Sequence, residues 1–285
     1  MKKVAIVGAG ISGLYLANEL NKNTEIDYKI FEKKDYLNLN EGYGIQLSVN
    51  SINLLNKIGF KNISASDVYY PTKVNFFQAN NIKKICEIDL KQFNNVNDRY
   101  TTLKRSTLIK FLIGNIPEEK IQFKANIQNI EYNEKIKISW NNKNESFDYI
   151  VIADGVFSKL KSQISNNDLN PIFNGNIALR ANLKQHEKDN ISVYMGSNFH
   201  YVTYPVNQKL EYNFVAIIKK KLTTKEIEDK NILNSETFIK SLKDLISKNS
   251  IINLESLANI KCFPVFVSTE LPTLKYQNTY LSGDA

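Results

Sequence analysis

Val4-Ala5-Ile6-Val7-Gly8-Ala9-Gly10-Ile11-Ser12-Gly13-Leu14 carries two patterns back to back. Val4 to Val7 is an apolar run of strand length. Gly8 to Gly13 reads G-x-G-x-x-G, and Ile11 to Leu20 then follows helical spacing, with Ile11, Leu14, Leu16 and Leu20 as expected packing positions. Strand, glycine turn and helix in that order form the setting that holds a dinucleotide. The first glycine permits the tight turn. The second lets backbone approach a diphosphate, and the third lets helix and strand pack closely. The diphosphate belongs at the positive end of the helix. Gly8, Gly10, Ile11, Ser12 and Gly13 are therefore candidate cofactor residues.

Tyr28 to Phe31 reads as a second strand, and Glu32 ends it, 19 residues beyond Gly13. A carboxylate there accepts hydrogen bonds from both ribose hydroxyls of an adenosine and repels a 2′-phosphate. The pocket thus suits FAD or NAD better than NADP. Neighbouring Lys33 joins the candidate set, although a lysine at that place is also an ordinary surface residue. No second G-x-G-x-x-G occurs among the 11 glycines, which excludes a two-Rossmann reductase with a separate NADPH domain.

Further along, Asn50 to Ile58 reads as a short helix stopped by Gly59. Lys73 to Leu90 is strand-like. Ser106 to Ile113 is helical, with Ser106 as the expected N-cap and Gly114 as the stop. Ile121 to Phe123, Ile127 to Ile130 and Ile136 to Trp140 are expected strands. Tyr149 to Ile152 is apolar throughout, as a buried parallel strand requires. Asn176 to Ile218 is strand-rich. Ser235 to Ser247 is amphipathic, with Phe238, Ile239, Leu242, Leu245 and Ile246 on one side, and Thr279 to Leu281 is a last short strand. Nucleotide-type segments come first, in the middle and last, with strand-rich segments between them. The expected fold is α/β: a three-layer Rossmann-like FAD-binding domain interleaved with a mixed-β-sheet substrate domain. The boundaries place 1–72, 101–172 and 273–285 in the former, and 73–100 and 173–272 in the latter.

Hydrophobic residues make up 42% of the chain, enough for a sizeable core. No apolar stretch approaches the ~20 residues of a membrane span, and no leader precedes the first strand, so the expected compartment is cytoplasmic. The net charge is +8, but only three of the 37 basic residues are arginine: Arg99, Arg105 and Arg180. Lysines are spread widely, and Lys219-Lys220-Lys221 reads as a solvated loop, so no nucleic-acid partner is expected. Where lysine suffices for charge, an arginine points to planar, forked hydrogen bonding. Cys86 and Cys262 follow no metal or redox spacing and are expected to be buried thiols. No metal site is expected.

Five segments, in order along the chain, resemble the class A FAD-dependent monooxygenases, the para-hydroxybenzoate hydroxylase superfamily, in its salicylate- and 6-hydroxynicotinate-hydroxylase-like branch. The first is the glycine loop with Glu32. The second is Gly42-Tyr43-Gly44-Ile45-Gln46-Leu47 with the helix before Gly59. The third is Lys104-Arg105-Ser106-Thr107-Leu108, the fourth Ala153-Asp154-Gly155 with Ser158, and the fifth Leu281-Ser282-Gly283-Asp284-Ala285. The resemblance implies that Gly44 lies near a flavin and that Arg105 reaches the FAD. It implies that the backbone of Ile127 meets the adenine side, that Asp154 and Gly155 serve FAD and NAD(P)H binding, and that Gly283 and Asp284 meet the ribityl chain. It also makes Arg180, His200 and Tyr204 the substrate-side candidates. His186, in a polar loop, is assigned nothing.

The implied reaction takes electrons from NADH or NADPH and uses O2 to hydroxylate a small aromatic or similarly planar substrate through a flavin C4a-hydroperoxide. No protein nucleophile is needed. In the family the Gly-Asp motif runs on into Ala-His, a proline- and glycine-rich loop and a long helix, whereas this sequence ends at Ala285. The expectation is a fragment or a truncated relative. Two alternatives stay open: another FAD-dependent reductase or oxidase of the same fold, or a non-catalytic nucleotide-binding remnant.

Overall fold

The computed structural model describes residues 1–39, 43–165, 170–183, 189–268 and 274–285; Gly42 and His186 lie outside them. The chain divides into two compact units, each built from separated segments. The first comprises Met1–Asn40, Leu108–Ile172 and Phe266–Ala285; the second comprises Glu41–Thr107 and Phe173–Val265. These units divide the chain by packing, whereas the boundaries drawn from the sequence divide it by expected role.

The first unit is Rossmann-like. Its central sheet runs in the order Lys275–Tyr276, Thr279–Leu281, Tyr149–Ile152, Lys2–Val7, Ile26–Phe31, Ile121–Gln122. All neighbours pair in parallel except the terminal hairpin of Lys275–Tyr276 with Thr279–Leu281. Apolar residues on both faces explain the arrangement: Ala5, Ile6, Ile30, Ile150 and Ile152 are fully buried. The helix Ile11–Leu20 lies against the first two strands. Of the expected packing positions Leu14 is fully buried, whereas Ile11, Leu16 and Leu20 are only partly so, and Gly13, Ala17 and Asn18 complete the buried face. Small side chains let the helix sit close. Asn18 is tolerated inside because its amide donates to the carbonyls of Leu14 and Leu112, both at 2.8 Å. On the other face lies an antiparallel sheet of Asn129–Tyr132, Ile136–Trp140 and Lys143–Phe147. Phe31 meets Trp140 and Phe147 edge to face there, with ring centroids 4.9 and 5.7 Å apart.

The second unit is built on a seven-stranded sheet. Its order is Leu257–Val267, Ile172–Leu183, Tyr212–Lys219, Phe199–Pro205, Ile191–Met195, Lys73–Gln78, Lys84–Asp89. The sheet is mixed, since Ile191–Met195 pairs in parallel with Lys73–Gln78 between antiparallel neighbours. One face packs on the helix Glu236–Ser247 through Phe238, Leu242 and Ile246. Ser235 caps that helix by accepting from the Phe238 N–H. Tyr194, Tyr201 and Phe214 stack in succession within this core, at 4.6 and 5.5 Å. Burial pushes the Tyr201 hydroxyl up to about 12. A small antiparallel sheet of Gly44–Leu47, Thr101–Lys104 and Val68–Tyr69 completes the unit.

Several local expectations are corrected. The helix expected over 50–58 is Val49–Asn56, and Gly59 follows it in the left-handed region at φ +95°. The next helix is Arg105–Gly114, so Ser106 is inside its first turn and is not the cap. Ile127 precedes the strand Asn129–Tyr132 rather than belonging to it. Leu245 is exposed, because the buried stripe runs through Leu242 and Ile246. Cys86 is exposed on the edge strand Lys84–Asp89, and only Cys262 is buried, its thiol pushed up to about 12 by desolvation.

Asp98 is a buried carboxylate held by amides. Asn95 and Asn53 donate to Oδ2 at 3.0 and 3.1 Å, and Asn56 donates to Oδ1 at 2.9 Å. These bonds tie the helix Val49–Asn56 to the chain ahead of Thr101–Lys104, and they hold the carboxyl below its ordinary value. A lowered value stabilises the fold above the unfolded-state pKa of about 4 and ceases to do so as pH falls through the folded-state value. Asp98→Asn is therefore expected to lower the melting temperature at pH 7, with the difference from wild type closing below pH ~4. A gap that persists unchanged in acid would show that packing, not charge, sets the effect. Among the described residues, no helix is long and apolar enough to cross a membrane.

Candidate dinucleotide-binding site

The first unit brings its candidate residues to one edge. Lys2–Val7 is flanked by Ile26–Phe31 on one side and Tyr149–Ile152 on the other, so the chain leaves the first strand toward opposite directions of the sheet. Such a switch point opens a crevice at the carboxyl ends of the strands. Gly8, Glu32, Ala153-Asp154 and Ser282-Gly283-Asp284 all follow directly on strand ends there. Backbone bonds fix them: Gly8 N–H donates to Phe31 at 2.8 Å, Ala153 to Val7 at 2.7 Å, and Ser282 to Ile152 at 2.9 Å.

The three motif glycines answer different demands. Gly8 has φ +107°, and a Cβ on it would lie 2.5 Å from the Ala153 carbonyl oxygen. A Cβ on Gly13 would lie 2.0 Å from the Gly8 carbonyl oxygen. Both are therefore required by the fold itself. A Cβ on Gly10 would meet nothing nearer than 3.9 Å. Its φ of −81° suits any residue, so the protein's own packing does not need glycine at this position. The demand comes from a ligand approaching the backbone. Gly10 also caps the helix without a side chain, leaving the first-turn N–H groups open toward the same place. The residues thus fit a dinucleotide diphosphate.

Glu32 is buried, and its carboxylate is divided. Oε2 accepts from Ala9 N–H at 2.9 Å and Oε1 from Lys34 N–H at 3.0 Å. Each oxygen keeps a second acceptor position, which matches the two hydroxyls of a ribose. Glu32 therefore also anchors the glycine loop, a role not read from its spacing. Asp154 is half-buried, but its Oδ1 is itself buried and makes no hydrogen bond within the normal geometric limits; Ser158 Oγ is buried in the same condition. Burial raises the Asp154 carboxyl from its ordinary value, while the nearby Ser158 hydroxyl, the local backbone and, more weakly, Lys33 and Lys161 oppose the rise. Lys33 is exposed, and this electrostatic reach to Asp154 is what the structure adds to its candidacy. Lys161 is fully buried, its ammonium donating to the Val156 carbonyl at 2.6 Å. Gly155 has φ +90° with open space around it, so glycine there serves the turn. Gly283 and Asp284 are exposed, and Gly283 has φ +71°. The side chain of Ile127 is part of the core beside Phe31 and Trp140.

A carboxyl with a raised value destabilises the fold as pH rises through that value, because the folded chain holds the proton more tightly. Asp154→Asn is accordingly expected to stabilise the ligand-free chain by about 1 kcal/mol at pH 7. The same change should weaken dinucleotide binding. Thermal melts against pH, with and without ligand, check the opposite signs.

The second unit holds Gly44, Arg105, Arg180, His200 and Tyr204. A Cβ on Gly44 would lie within 2.8 Å of Asn213, Val206 and Tyr204, and Gly44 N–H donates to Asn213 Oδ1 at 2.7 Å. Packing therefore accounts for that glycine. Arg105 opens its helix, exposed, with its N–H bonded to the Tyr43 carbonyl. Strand register places Arg180 opposite Val215, Val215 opposite Val202, and His200 opposite Ile217. Alternation then puts Arg180, His200 and Tyr204 on one face, away from the aromatic core. Arg180 is half-buried over the Tyr43 ring, 5.9 Å from its centroid. Burial lowers the His200 value, so the imidazole is neutral at pH 7. Tyr204 is buried beside Gln46, and its hydroxyl is pushed well up by desolvation. All eight ion pairs among the described residues use lysine, and no arginine takes part in any of them. No group of three metal-ligating side chains occurs among the described residues.

Comparison with known proteins agrees with this geometry. The NAD(P)-binding Rossmann-like domain family matches residues 6–40. An FAD-dependent monooxygenase of Gibberella zeae is 25% identical over 170 residues, covering 57% of this chain and 36% of that protein. Salicylate hydroxylase of Pseudomonas putida is 23% identical over 237 residues, covering 75% of this chain and 54% of that protein. The chain is similar to FAD-dependent monooxygenases, salicylate hydroxylase among them. It spans about a third to a half of the length of the curated relatives it matches. Klebsiella pneumoniae HpxO, solved with FAD and uric acid, shares the fold of this chain with a TM-score of 0.79 at 14% identity, over 98% of this chain and 72% of that one. A salicylate hydroxylase substrate complex gives 0.75 at 16% identity, over 99% and 72%.

Proposed function

We propose that this chain forms the FAD-binding and substrate-side parts of a monooxygenase that uses NADH or NADPH and O2 to hydroxylate a small aromatic or similarly planar molecule. The reading rests chiefly on the open cradle over Gly10, at a switch point where Glu32 and a partnerless buried Asp154 oxygen converge. The first-turn N–H groups of Ile11–Leu20 would bind the diphosphate, and Glu32 the adenosine ribose. Asp154 would accept from a ligand hydroxyl, and Asp284 would meet the ribityl chain. Arg105 offers a guanidinium fork to a phosphate or a carbonyl edge. The chemistry supplied by FAD, when bound, is electron uptake from a nicotinamide and activation of O2. Arg180 would pair an anionic group on the substrate, and His200, being neutral, would accept or donate without adding charge.

An absorption spectrum of the purified chain, taken after FAD is added and the excess removed, tests the reading. Flavin bands that stay with the protein support it, and a folded, colourless protein overturns it. A second reading, NAD in the same pocket, is favoured by the NAD(P)-binding match over residues 6–40. Competition between the two ligands separates them, because tighter retention of NAD than of FAD would select the second.

A further inference from the structure

We propose that Ser282 is a positioning residue for the cofactor diphosphate, acting through Ser12; this rests on the dinucleotide reading of the site. Ser12 is the second residue of the helix Ile11–Leu20, at the end where the diphosphate belongs. Its Oγ lies 2.6 Å from Ser282 Oγ. The two residues come from opposite ends of the sequence, Ser12 from the glycine loop and Ser282 from the segment before Gly283-Asp284.

The contact is held from both sides. Ser282 N–H donates to the Ile152 carbonyl at 2.9 Å, and Leu281 N–H donates to Leu274 at 2.9 Å. Gly283 then turns at φ +71°, so close that a Cβ on it would lie 3.0 Å from Ser12 Cβ. Ser282 thus joins three parts of the site: the glycine-loop helix, the strand leading to Asp154, and the Gly283-Asp284 turn.

Proton direction gives the contact its consequence. A hydroxyl has one proton to donate and two positions at which to accept. Two hydroxyls in contact share one proton between them and keep one over. An anion at the helix N-terminus accepts a hydrogen bond from the Ser12 hydroxyl, which uses the remaining proton. Ser282 must then donate to Ser12. The chain Ser282 to Ser12 to diphosphate oxygen runs one way, and each bond polarises the next. Ser282 strengthens diphosphate binding without touching the ligand, and it fixes the Ser12 rotamer.

The test uses the full chain, with FAD and with ADP as probes, followed by flavin fluorescence and calorimetry. Ser282→Ala is expected to raise Kd for both about fivefold, the scale of one hydrogen bond. Ser282→Thr keeps the hydroxyl and should restore binding. The double variant S12A/S282A should bind no more weakly than S12A alone, since Ser282 works only through Ser12. A merely structural role would move the melting temperature and make the two effects add. Unchanged Kd values in S282A, or additive effects, overturn the proposal. Should S282A fail to fold, Ser282→Cys, a weaker donor of similar shape, gives the same reading. A wild-type chain that binds ADP but not FAD sinks the FAD reading, while the Ser282 effect is still decided on ADP. One that binds neither overturns both.

Discussion

Gly13→Ala is expected to destabilise the chain by about 4 kcal/mol, beyond the usual range for overpacking. The added methyl would stand 2.0 Å from the Gly8 carbonyl oxygen and 3.2 Å from Ile6 Cγ2. Neither can yield easily. Gly8 is held by its bond to Phe31 and by its own positive φ, and Ile6 is fully buried in the central strand. Gly10→Ala is the matched control. Its methyl meets nothing nearer than 3.9 Å, so the ligand-free chain should stay within about 0.5 kcal/mol of wild type. Its FAD affinity should nevertheless fall about tenfold or more, from lost approach of the diphosphate. Thermal unfolding of both variants, with and without FAD, separates a glycine needed by the fold from one needed by the ligand. Normal FAD binding by Gly10→Ala would mean that the diphosphate does not pass over Gly10.

Glu32→Ala should fail on both counts. Removing the carboxylate leaves the Ala9 and Lys34 N–H groups without the acceptor they now share. Bonds to a charged acceptor are worth about 1.5–3 kcal/mol each, and partial exposure at Lys34 returns some of that to water, so a loss of about 3 kcal/mol is expected. Binding should weaken about 100-fold, because the ribose loses its acceptor and the loop its brace. Glu32→Gln keeps one acceptor and should fall between. Denaturant titration reads the first effect and FAD titration the second. A Glu32→Ala chain as stable as wild type would show that the loop is held by the glycines alone.

Much of the first unit was legible because its signals are local. An apolar run, a glycine turn and a helix adjoin in sequence, and the acid follows at the end of the next strand. What stayed hidden depends on distant partners. Asn18 looks like a surface residue until Leu112 arrives to accept its amide. Ser282 reads as a spacer before Gly283 until the fold sets it against Ser12. Gly44 resembles a cofactor-loop glycine, yet Tyr204, Val206 and Asn213 crowd it from strands far along the chain. Cys86 has the composition of a core position but lands on an edge strand, which alternation cannot foresee. In the second unit the shared face of Arg180, His200 and Tyr204 follows from register, and register is fixed by pairing rather than by any one strand.

The order of strands in the first unit also bears on how the chain is made. Lys2–Val7 leaves the ribosome more than a hundred residues ahead of its neighbour Tyr149–Ile152. Thr279–Leu281, which pairs with Tyr149–Ile152, comes more than a hundred later still. At roughly 5–20 residues per second, the nascent first strand waits on the order of ten seconds for its partner. The segments of the second unit seen here are made by Val265, before the parallel strand Thr279–Leu281 of the first unit. During translation the half-made Rossmann sheet is therefore the species with exposed apolar edges, and it is the one that chaperones would be called on to hold.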